Sequence, residues 1–176
     1  WGLDRGFVHL EQYLARNNEI LAAYPEPDRQ AEHIWDSYIQ PFLDGQDPDA
    51  PKFIYLHELD PHFAYIPQVE PYKSMYLPPI ASNLQVSTRL YMEGAQHLTA
   101  EDIAWLHANY KGEISAMDTY LGWMLRRFQE AGFGEDTLYV FLSDHGEQFM
   151  EHGELFHVNH VWDELIRIPL IWSMPG

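Results

Sequence analysis

Cysteine is absent from the 176-residue chain, and so is any uninterrupted apolar run of membrane-spanning length. Without cysteine, disulfide bonds and thiolate-bound zinc are excluded. Without about 18 consecutive apolar residues, no transmembrane helix is predicted. Four motifs are also missing, namely the Gly-x-Ser-x-Gly turn, the P-loop, Gly-x-Gly-x-x-Gly and His-Glu-x-x-His. Their absence removes the usual signatures of serine hydrolases, nucleotide-binding folds and zinc peptidases.

Basic residues are scarce. Ten Lys and Arg stand against 27 Asp and Glu, which gives a formal net charge of -17. Such a chain repels a polyanion, so nucleic acid is not an expected partner, whereas cations are attracted. The composition is 46% hydrophobic and 15% aromatic, which is typical of globular protein. The length predicts one domain that buries a core.

The first part of the chain shows two helical patterns followed by one apolar run. Helices are predicted over residues 8–22 and 28–43, separated at Tyr24-Pro25-Glu26-Pro27 because proline disfavours helix in the preceding residue. The run "KFIYLHEL" over 52–59 predicts a buried strand that ends near His57. A proline-containing irregular excursion is predicted over 60–98, a length that indicates function or disorder.

The second part contains the clearest helix and two more apolar strands. Thr99 is a capping residue with Asp102 three positions on, and Gly132 is a terminator. Between them the apolar residues recur every three or four positions and predict one helical face: Ile103, Leu106, Tyr110, Ile114, Met117, Leu121, Leu125 and Phe128. Buried strands are predicted over 137–143 and 168–173. The alternation predicts an α/β sheet with helices on both faces.

An acidic and histidine-rich segment begins where the strand over 137–143 ends. Asp144 and His145 stand at the strand end, where open α/β sheets bind ligands. A carboxylate beside an imidazole can hold a divalent cation. Gly146 permits a tight turn or a close backbone approach. The alternative is structural, with Asp144 capping a turn and His145 packed as a polar residue.

A similar group follows the apolar run "FIYL" of the first predicted strand, where His57, Asp60 and His62 occur within six residues. If the two strands are neighbours, both groups converge on one pocket. His62 then serves as a general acid, because imidazole titrates near neutral pH. The alternative is a proline-containing turn with exposed histidines.

Together these motifs resemble the sulfatase family of the alkaline phosphatase superfamily. The stretch "DTLYVFLSDHGEQFMEHGELFHVNHVWDELIRIPLIWSMPG" resembles the C-terminal part of the sulfatase catalytic domain. "FIYLHELDPHFAY" is similar to the family's His-x-x-Asp-Pro-His-x-Pro-Tyr, with Ala64 in place of proline. "YKGEISAMDTYLGWMLRRFQEAG" and "GLDRGFVHLEQY" match further segments. The resemblance implies an alkaline-phosphatase-like mixed sheet flanked by helices on both faces.

The resemblance also implies residue roles. Asp144 and His145 match the second pair of metal ligands, and the metal is usually calcium in sulfatases. His62 matches the histidine that contacts the sulfate and assists departure of the leaving group. His157 matches the Lys or His that binds the ester near the leaving oxygen. The implied substrate is a small-molecule or carbohydrate sulfate ester, whose developing charge a cation and basic groups stabilise.

Part of the family's machinery is not in this sequence. The family's nucleophile is a formylglycine made from the Cys or Ser of a Cys/Ser-x-Pro-x-Arg motif, and no such motif occurs here. The first metal-ligand pair, two aspartates, is also absent. The resemblance therefore predicts that residues 1–176 are a partial catalytic domain. It would lack the N-terminal nucleophile segment and the C-terminal subdomain, and alone it would be inactive.

Two other functions stay open. A superfamily relative could act on phosphate or phosphonate esters, or transfer phosphoethanolamine, with Thr or Ser as the nucleophile. Alternatively, the chain is a non-catalytic interaction module that keeps the sheet without the chemistry. The identity of the nucleophile separates the first alternative from a sulfatase, and activity that depends on Asp144 excludes the second.

Overall fold

The computed structural model describes residues 23–63, 65, 69–77, 95–157 and 160–174. The helix predicted over 8–22 and most of the excursion predicted over 60–98 lie outside these residues. In the described part of the chain, no helix is both long enough and apolar enough to cross a lipid bilayer.

The helix predicted over 28–43 is confirmed as a continuous helical segment with an irregular middle. Helix α1 (Pro27–Ile34) begins at a proline, whose fixed φ suits the first helical position. A π-helical turn (Trp35–Ile39) follows and leads into helix α2 (Gln40–Asp44). Pro41 accounts for the break, because it lacks the N–H that a regular α-helical ladder needs.

Helix α3 (Ala100–Glu130) is the longest element and has the predicted ends. The hydroxyl of Thr99 accepts from the backbone N–H of Asp102, whose carboxylate accepts from the backbone N–H of Thr99. Beyond the helix, Gly132 has a φ of 95°, a conformation that favours glycine. The local signals of capping box and terminal glycine therefore fixed both boundaries.

The predicted single apolar face of α3 is wrong in part, because the helix is covered on different sides along its length. Ile114 and Leu125 are 44% and 42% exposed. Near its start, Leu106 packs with Tyr65 and the short hairpin described below. Towards its end the helix packs on α1 and the π turn, forming the main core: Ala31, Ile34, Trp35, Ile39, Tyr120, Met124 and Phe128.

The strand predicted over 52–59 is wrong. Residues 51–60 have no regular secondary structure, and the side chains of Phe53 and Tyr55 are 72% and 67% exposed. A strand needs a ladder of hydrogen bonds to a neighbouring strand. No strand in the described ranges pairs with this segment, so its apolar residues lie on an irregular segment.

The two other predicted strands exist and pair with each other. β1 (Tyr139–Leu142) and the last strand, β4 (Leu170–Ser173), run antiparallel. Both were predicted to be buried, but most of their apolar side chains are exposed on this two-stranded ribbon. A second antiparallel pair, β2 (Gln148–Phe149) and β3 (Leu155–Phe156), forms a short hairpin. A short helix, α4 (Asp163–Ile166), precedes β4.

Candidate active site

Three histidines from two separate segments of the chain lie close together. The rings of His145 and His157 are stacked, with centroids 3.8 Å apart. His62 meets His157 edge to face, with centroids 5.8 Å apart. The segment after residue 60 and the segment after β1 therefore lie on the same side of the molecule. This places His62 and His157, which the resemblance links to the ester, next to the proposed metal ligand His145.

Asp144 and His145 are arranged as a pair that can share a cation. The Nδ1–H of His145 donates to the carbonyl oxygen of Gly146 at 2.8 Å, which leaves Nε2 as the nitrogen available to a ligand. Metal-binding histidines commonly use their second nitrogen in this way. Nε2 lies 3.7 Å from Oδ1 of Asp144, whose side chain is 77% exposed. One oxygen and one nitrogen at this separation can bind one ion from the same side.

The donor chemistry of this pair fits a divalent cation, although two ligands form only part of a coordination shell. No group of three or more His, Asp or Glu side chains in the described ranges is arranged to hold a metal ion. The metal site at Asp144 and His145 therefore stays a prediction.

Gly146 makes the close backbone approach that its position predicted. Its N–H donates to the carbonyl oxygen of Leu165 at 2.7 Å. A Cβ atom at this position would lie 2.0 Å from the carbonyl oxygen of Glu164, well inside van der Waals contact. The absence of a side chain thus lets α4 dock against the segment that carries Asp144 and His145.

A hydrogen-bonded link joins the two segments beneath the histidines. The hydroxyl of Tyr65 donates to Oε2 of Glu147 at 2.6 Å. The other carboxylate oxygen, Oε1, lies 3.1 Å from Nδ1 of His157. The side chain of Glu147 is only 6% exposed. Burial, reinforced by the hydrogen bond to Glu147, raises the pKa of Tyr65, so this phenol stays a proton donor.

Aromatic packing supports the same junction. Phe63, next to His62, packs against Phe156, next to His157, with ring centroids 4.6 Å apart. Phe156 has a φ of 72°, an unfavourable backbone conformation for a bulky residue. Strain of this kind persists where the surroundings enforce it, and it is common at functional sites.

The other histidines of the predicted segments have different neighbours. His57 faces Tyr55, whose hydroxyl lies 2.9 Å from its Nδ1. His152 stacks on Trp162 at 4.0 Å and lies 2.9 Å from Glu164. His160 pairs with Glu154 at 2.7 Å. The ring of His160 also lies near Trp162, with centroids 5.9 Å apart. The four histidines over 145–160 therefore form two groups in space, and the neighbour of His57 is Tyr55.

Three tyrosines of the excursion are buried or hydrogen-bonded in the described part of the chain. Tyr65 is 2% exposed. The hydroxyls of Tyr72 and Tyr76 lie 2.9 Å from Thr119 and Ser115 of α3, respectively. None of these contacts was signalled by the sequence.

The sequence also gave no signal for a half-buried carboxyl on the segment that leads to His62. Glu58 accepts a hydrogen bond of 2.5 Å from the hydroxyl of Tyr120 on α3. Burial raises the pKa of Glu58 to about 7, with the hydrogen bond from Tyr120 opposing and the charge of Asp60 reinforcing that change. Glu58 thus links the segment that leads to His62 to the main core.

Comparison with known proteins identifies a family. The sulfatase family model matches residues 2–176. An ulvan-active sulfatase from Formosa agariphila is 29% identical over 138 residues, covering 77% of this chain and 25% of that protein. The multifunctional alkaline phosphatase superfamily protein PehA from Trinickia caryophylli is 29% identical over 163 residues, covering 77% of this chain and 30% of its own length.

Solved structures give the fold. The phosphonate monoester hydrolase of Agrobacterium radiobacter superposes with a TM-score of 0.65 at 25% identity, covering 86% of this chain and 34% of that one. The enzyme SpPMH from Silicibacter pomeroyi gives 0.62 at 24% identity. These hydrolases confirm the predicted α/β, alkaline-phosphatase-like fold class. The chain spans about a quarter to a third of the length of the proteins it matches.

Proposed function

This chain belongs to the sulfatase family, and from that premise we propose that it forms part of the active site of a metal-dependent sulfatase that hydrolyses sulfate monoesters. The observation that carries the proposal is the meeting of His62, His145 and His157 beside Asp144. These are the residues that the family resemblance links to metal and ester, and they come from two separate segments.

Asp144 and His145 are proposed to hold the divalent cation, which in sulfatases is usually calcium. The geometry that supports this is the exposed carboxylate next to an imidazole nitrogen left available by the Gly146 hydrogen bond. A bound cation would stabilise negative charge on the ester oxygens. His145 is oriented for that purpose by the main chain and by the stacked ring of His157.

His62 and His157 are proposed to act on the ester itself. The Nδ1–H of His62 donates to the carbonyl oxygen of Phe63 at 2.8 Å, a contact that orients the ring. In its imidazolium form, His62 would give the Nε2 proton to the leaving alcohol oxygen as the S–O bond breaks and would keep the proton on Nδ1. His157 is 31% exposed at its side chain and can contact the ester near that oxygen.

The nucleophile is proposed to be a formylglycine, whose hydrated aldehyde would attack sulfur and form a covalent sulfo-enzyme. No Cys/Ser-x-Pro-x-Arg motif occurs among the 176 residues. We therefore propose that residues 1–176 act as a partial catalytic domain, inactive without a nucleophile segment. His62 would then protonate, and His157 would position, an ester that another segment attacks.

A second candidate is hydrolysis of phosphonate or phosphate monoesters. It is favoured by the two solved neighbours, both of which are phosphonate monoester hydrolases. A cation and two imidazoles serve a tetrahedral phosphorus centre as well as a sulfur centre. The nucleophile separates the two: a cysteine in a Pro-Arg context supports a sulfatase, and a threonine supports phosphoester transfer.

The test compares hydrolysis of an aryl sulfate and an aryl phosphonate monoester by a protein that joins this chain to a nucleophile segment. We expect the sulfate to be preferred, with Asp144→Ala abolishing turnover. His62→Ala is expected to lower kcat roughly 10²–10⁴-fold, the usual contribution of a general acid. His160→Ala, which removes a histidine outside the cluster, should leave kcat unchanged.

Preference for the phosphonate would replace the sulfatase assignment with the second candidate. Failure to turn over either ester, with the chain folded and the cation bound, would favour a non-catalytic interaction module.

A further inference from the structure

We propose that Glu147 and Tyr65 are positioning residues that hold His157 with its proton on Nδ1 and its Nε2 turned to the ester. This inference rests on the proposed function, because His157 is the ester-binding histidine only if the site is that of a hydrolase. It adds two residues that contact neither the ester nor the cation.

The first observation is the environment of Glu147. Its side chain is 6% exposed, and its two oxygens have different partners. Oε2 accepts the Tyr65 hydroxyl at 2.6 Å, and Oε1 faces Nδ1 of His157 at 3.1 Å. A carboxylate only accepts hydrogen bonds, so the facing nitrogen must carry the proton. The contact therefore selects one of the two neutral tautomers of His157.

The second observation is the rigidity of Tyr65, which is 2% exposed. Its ring lies between those of Phe63, at 5.8 Å, and Tyr110, at 5.3 Å, and both contacts are edge to face. Because the ring is enclosed, the hydroxyl has a fixed position. The carboxylate it binds is thereby fixed too, and Glu147 can hold His157 at one angle.

The third observation concerns what the other nitrogen can do. The ring of His157 is stacked on His145 and meets His62 edge to face. With Nδ1 turned to Glu147, Nε2 lies on the opposite edge of the ring, and the side chain is 31% exposed. A free imidazole would exchange its tautomers and rotate. Orientation by a buried second residue is how proteins commonly fix a functional histidine.

The experiment is ¹⁵N–¹H correlation spectroscopy of the histidine rings in the 176-residue chain at pH 8, where an ordinary histidine is neutral. It needs neither ester nor cation, so its outcome is independent of the proposed hydrolysis. In the wild type we expect the His157 proton on Nδ1. His97, an exposed histidine elsewhere in the chain, is the internal reference.

Two variants of similar length form a matched pair. Glu147→Gln keeps an accepting oxygen and should keep the proton of His157 on Nδ1. Glu147→Met keeps the bulk without an acceptor, and the proton should move to Nε2. A role in packing alone would make the two variants alike. In Tyr65→Phe the tautomer should persist while the Nδ1–H resonance shifts, because Glu147 has lost its other donor.

Three results would overturn the proposal. A wild-type spectrum with the proton of His157 on Nε2 would refute the proposal. This result needs no variant, so it does not depend on whether a mutant folds. Identical His157 tautomers in Glu147→Gln and Glu147→Met would show that the acceptor is not what matters. An unchanged His157 signal in Tyr65→Phe would remove Tyr65 from the arrangement.

Discussion

The rings of His62 and His157 meet edge to face, with centroids 5.8 Å apart. This contact joins the segment that follows residue 60 to the hairpin that follows β1. The same two segments are also joined by two neighbouring contacts, between Phe63 and Phe156 and between Tyr65 and Glu147. The arrangement of the site therefore depends on tertiary contacts between irregular segments, and its chemistry and its stability can be tested separately.

Cation binding is expected to depend on Asp144 and His145. We predict that Asp144→Ala and His145→Ala each weaken calcium binding by the chain about tenfold or more, since loss of a supporting residue alone typically costs 10- to 100-fold. Isothermal titration calorimetry with calcium chloride measures this directly. The exposed carboxylate of Asp136 provides the control.

Asp136→Ala should bind calcium like the wild type, because it changes the net charge by the same amount as Asp144→Ala. Equal weakening by both variants would mean that the cation responds to the overall charge of -17 and not to a defined site.

Replacement of Gly146 is expected to damage both the fold and the cation site. A Cβ atom would meet the carbonyl oxygen of Glu164 at 2.0 Å, so the backbone must shift to admit it. We predict that Gly146→Ala lowers the free energy of unfolding by roughly 1–3 kcal/mol, the usual range for overpacking. Urea unfolding followed by circular dichroism measures the change.

Gly134→Ala is the matched control for this variant. Nothing lies within 4 Å of a Cβ atom built at Gly134. A similar loss of stability in both variants would show that the effect comes from glycine replacement in general, and not from the close approach of α4.

The sequence predicted what depends on neighbouring residues. The capping box at Thr99 and the turn at Gly132 define α3 within a few residues of its ends, and the runs around β1 and β4 are rich in strand-forming side chains. The position of Asp144 and His145 after a strand could be predicted because they directly follow its strand-forming residues. His62 is predicted from its grouping with His57 and Asp60 and from the resemblance of that segment to the family motif.

What the sequence did not reveal are contacts between residues far apart in the chain. The bond from Tyr120 to Glu58 spans 62 residues, and that from Tyr65 to Glu147 spans 82. Periodicity cannot encode such pairs. The strand predicted over 52–59 failed for a related reason, since strand formation requires a partner that composition does not supply.

The exposed ribbon of β1 and β4 is expected to make the chain associate. On one face Val140 lies opposite Trp172, and they are 53% and 60% exposed. Unpaired strand edges with apolar faces promote association. We predict binding of the dye ANS and concentration-dependent sedimentation. Both should fall in the double variant Val140→Glu/Trp172→Lys, whose opposite charges can still pair across the strands.

A second double variant, Ile114→Glu/Leu125→Lys, controls for surface hydrophobicity on α3, where the two residues are 44% and 42% exposed. It should leave association unchanged. A wild-type chain that sediments as a monomer at all concentrations and melts cooperatively would contradict the prediction, and with it the expectation that 1–176 is a partial domain.

Stability is expected to fall with rising pH because of Glu58. Its pKa is raised to about 7 in the folded state by burial, against an ordinary value of 4.5. Below pH 4.5 the carboxyl is protonated in both states, and no penalty applies. As pH rises towards 7 the unfolded state releases the proton first, so folding loses free energy. Above pH 7 the loss is constant.

Each pKa unit corresponds to about 1.4 kcal/mol, so the loss between pH 4.5 and pH 8 should be about 3 kcal/mol. Glu58→Gln keeps an acceptor for the Tyr120 hydroxyl but does not titrate. We therefore predict that this variant is less sensitive to pH than the wild type by that amount, and more stable at pH 8. Urea unfolding of both proteins at pH 4.5 and pH 8 gives their free energies of unfolding. Subtracting the wild-type change from that of the variant cancels the contributions of the other titrating groups.

Glu135→Gln removes an exposed carboxylate from the loop between α3 and β1 and should follow the wild-type pH dependence. If Glu58→Gln also follows the wild type, the carboxyl of Glu58 is solvated in the folded chain, and its bond to Tyr120 does not bury it. If instead only Glu58→Gln loses the dependence, the segment leading to His62 is anchored to α3 through a carboxyl that is protonated below neutrality. Raising the pH through 7 would then loosen the approach to the candidate site from that side.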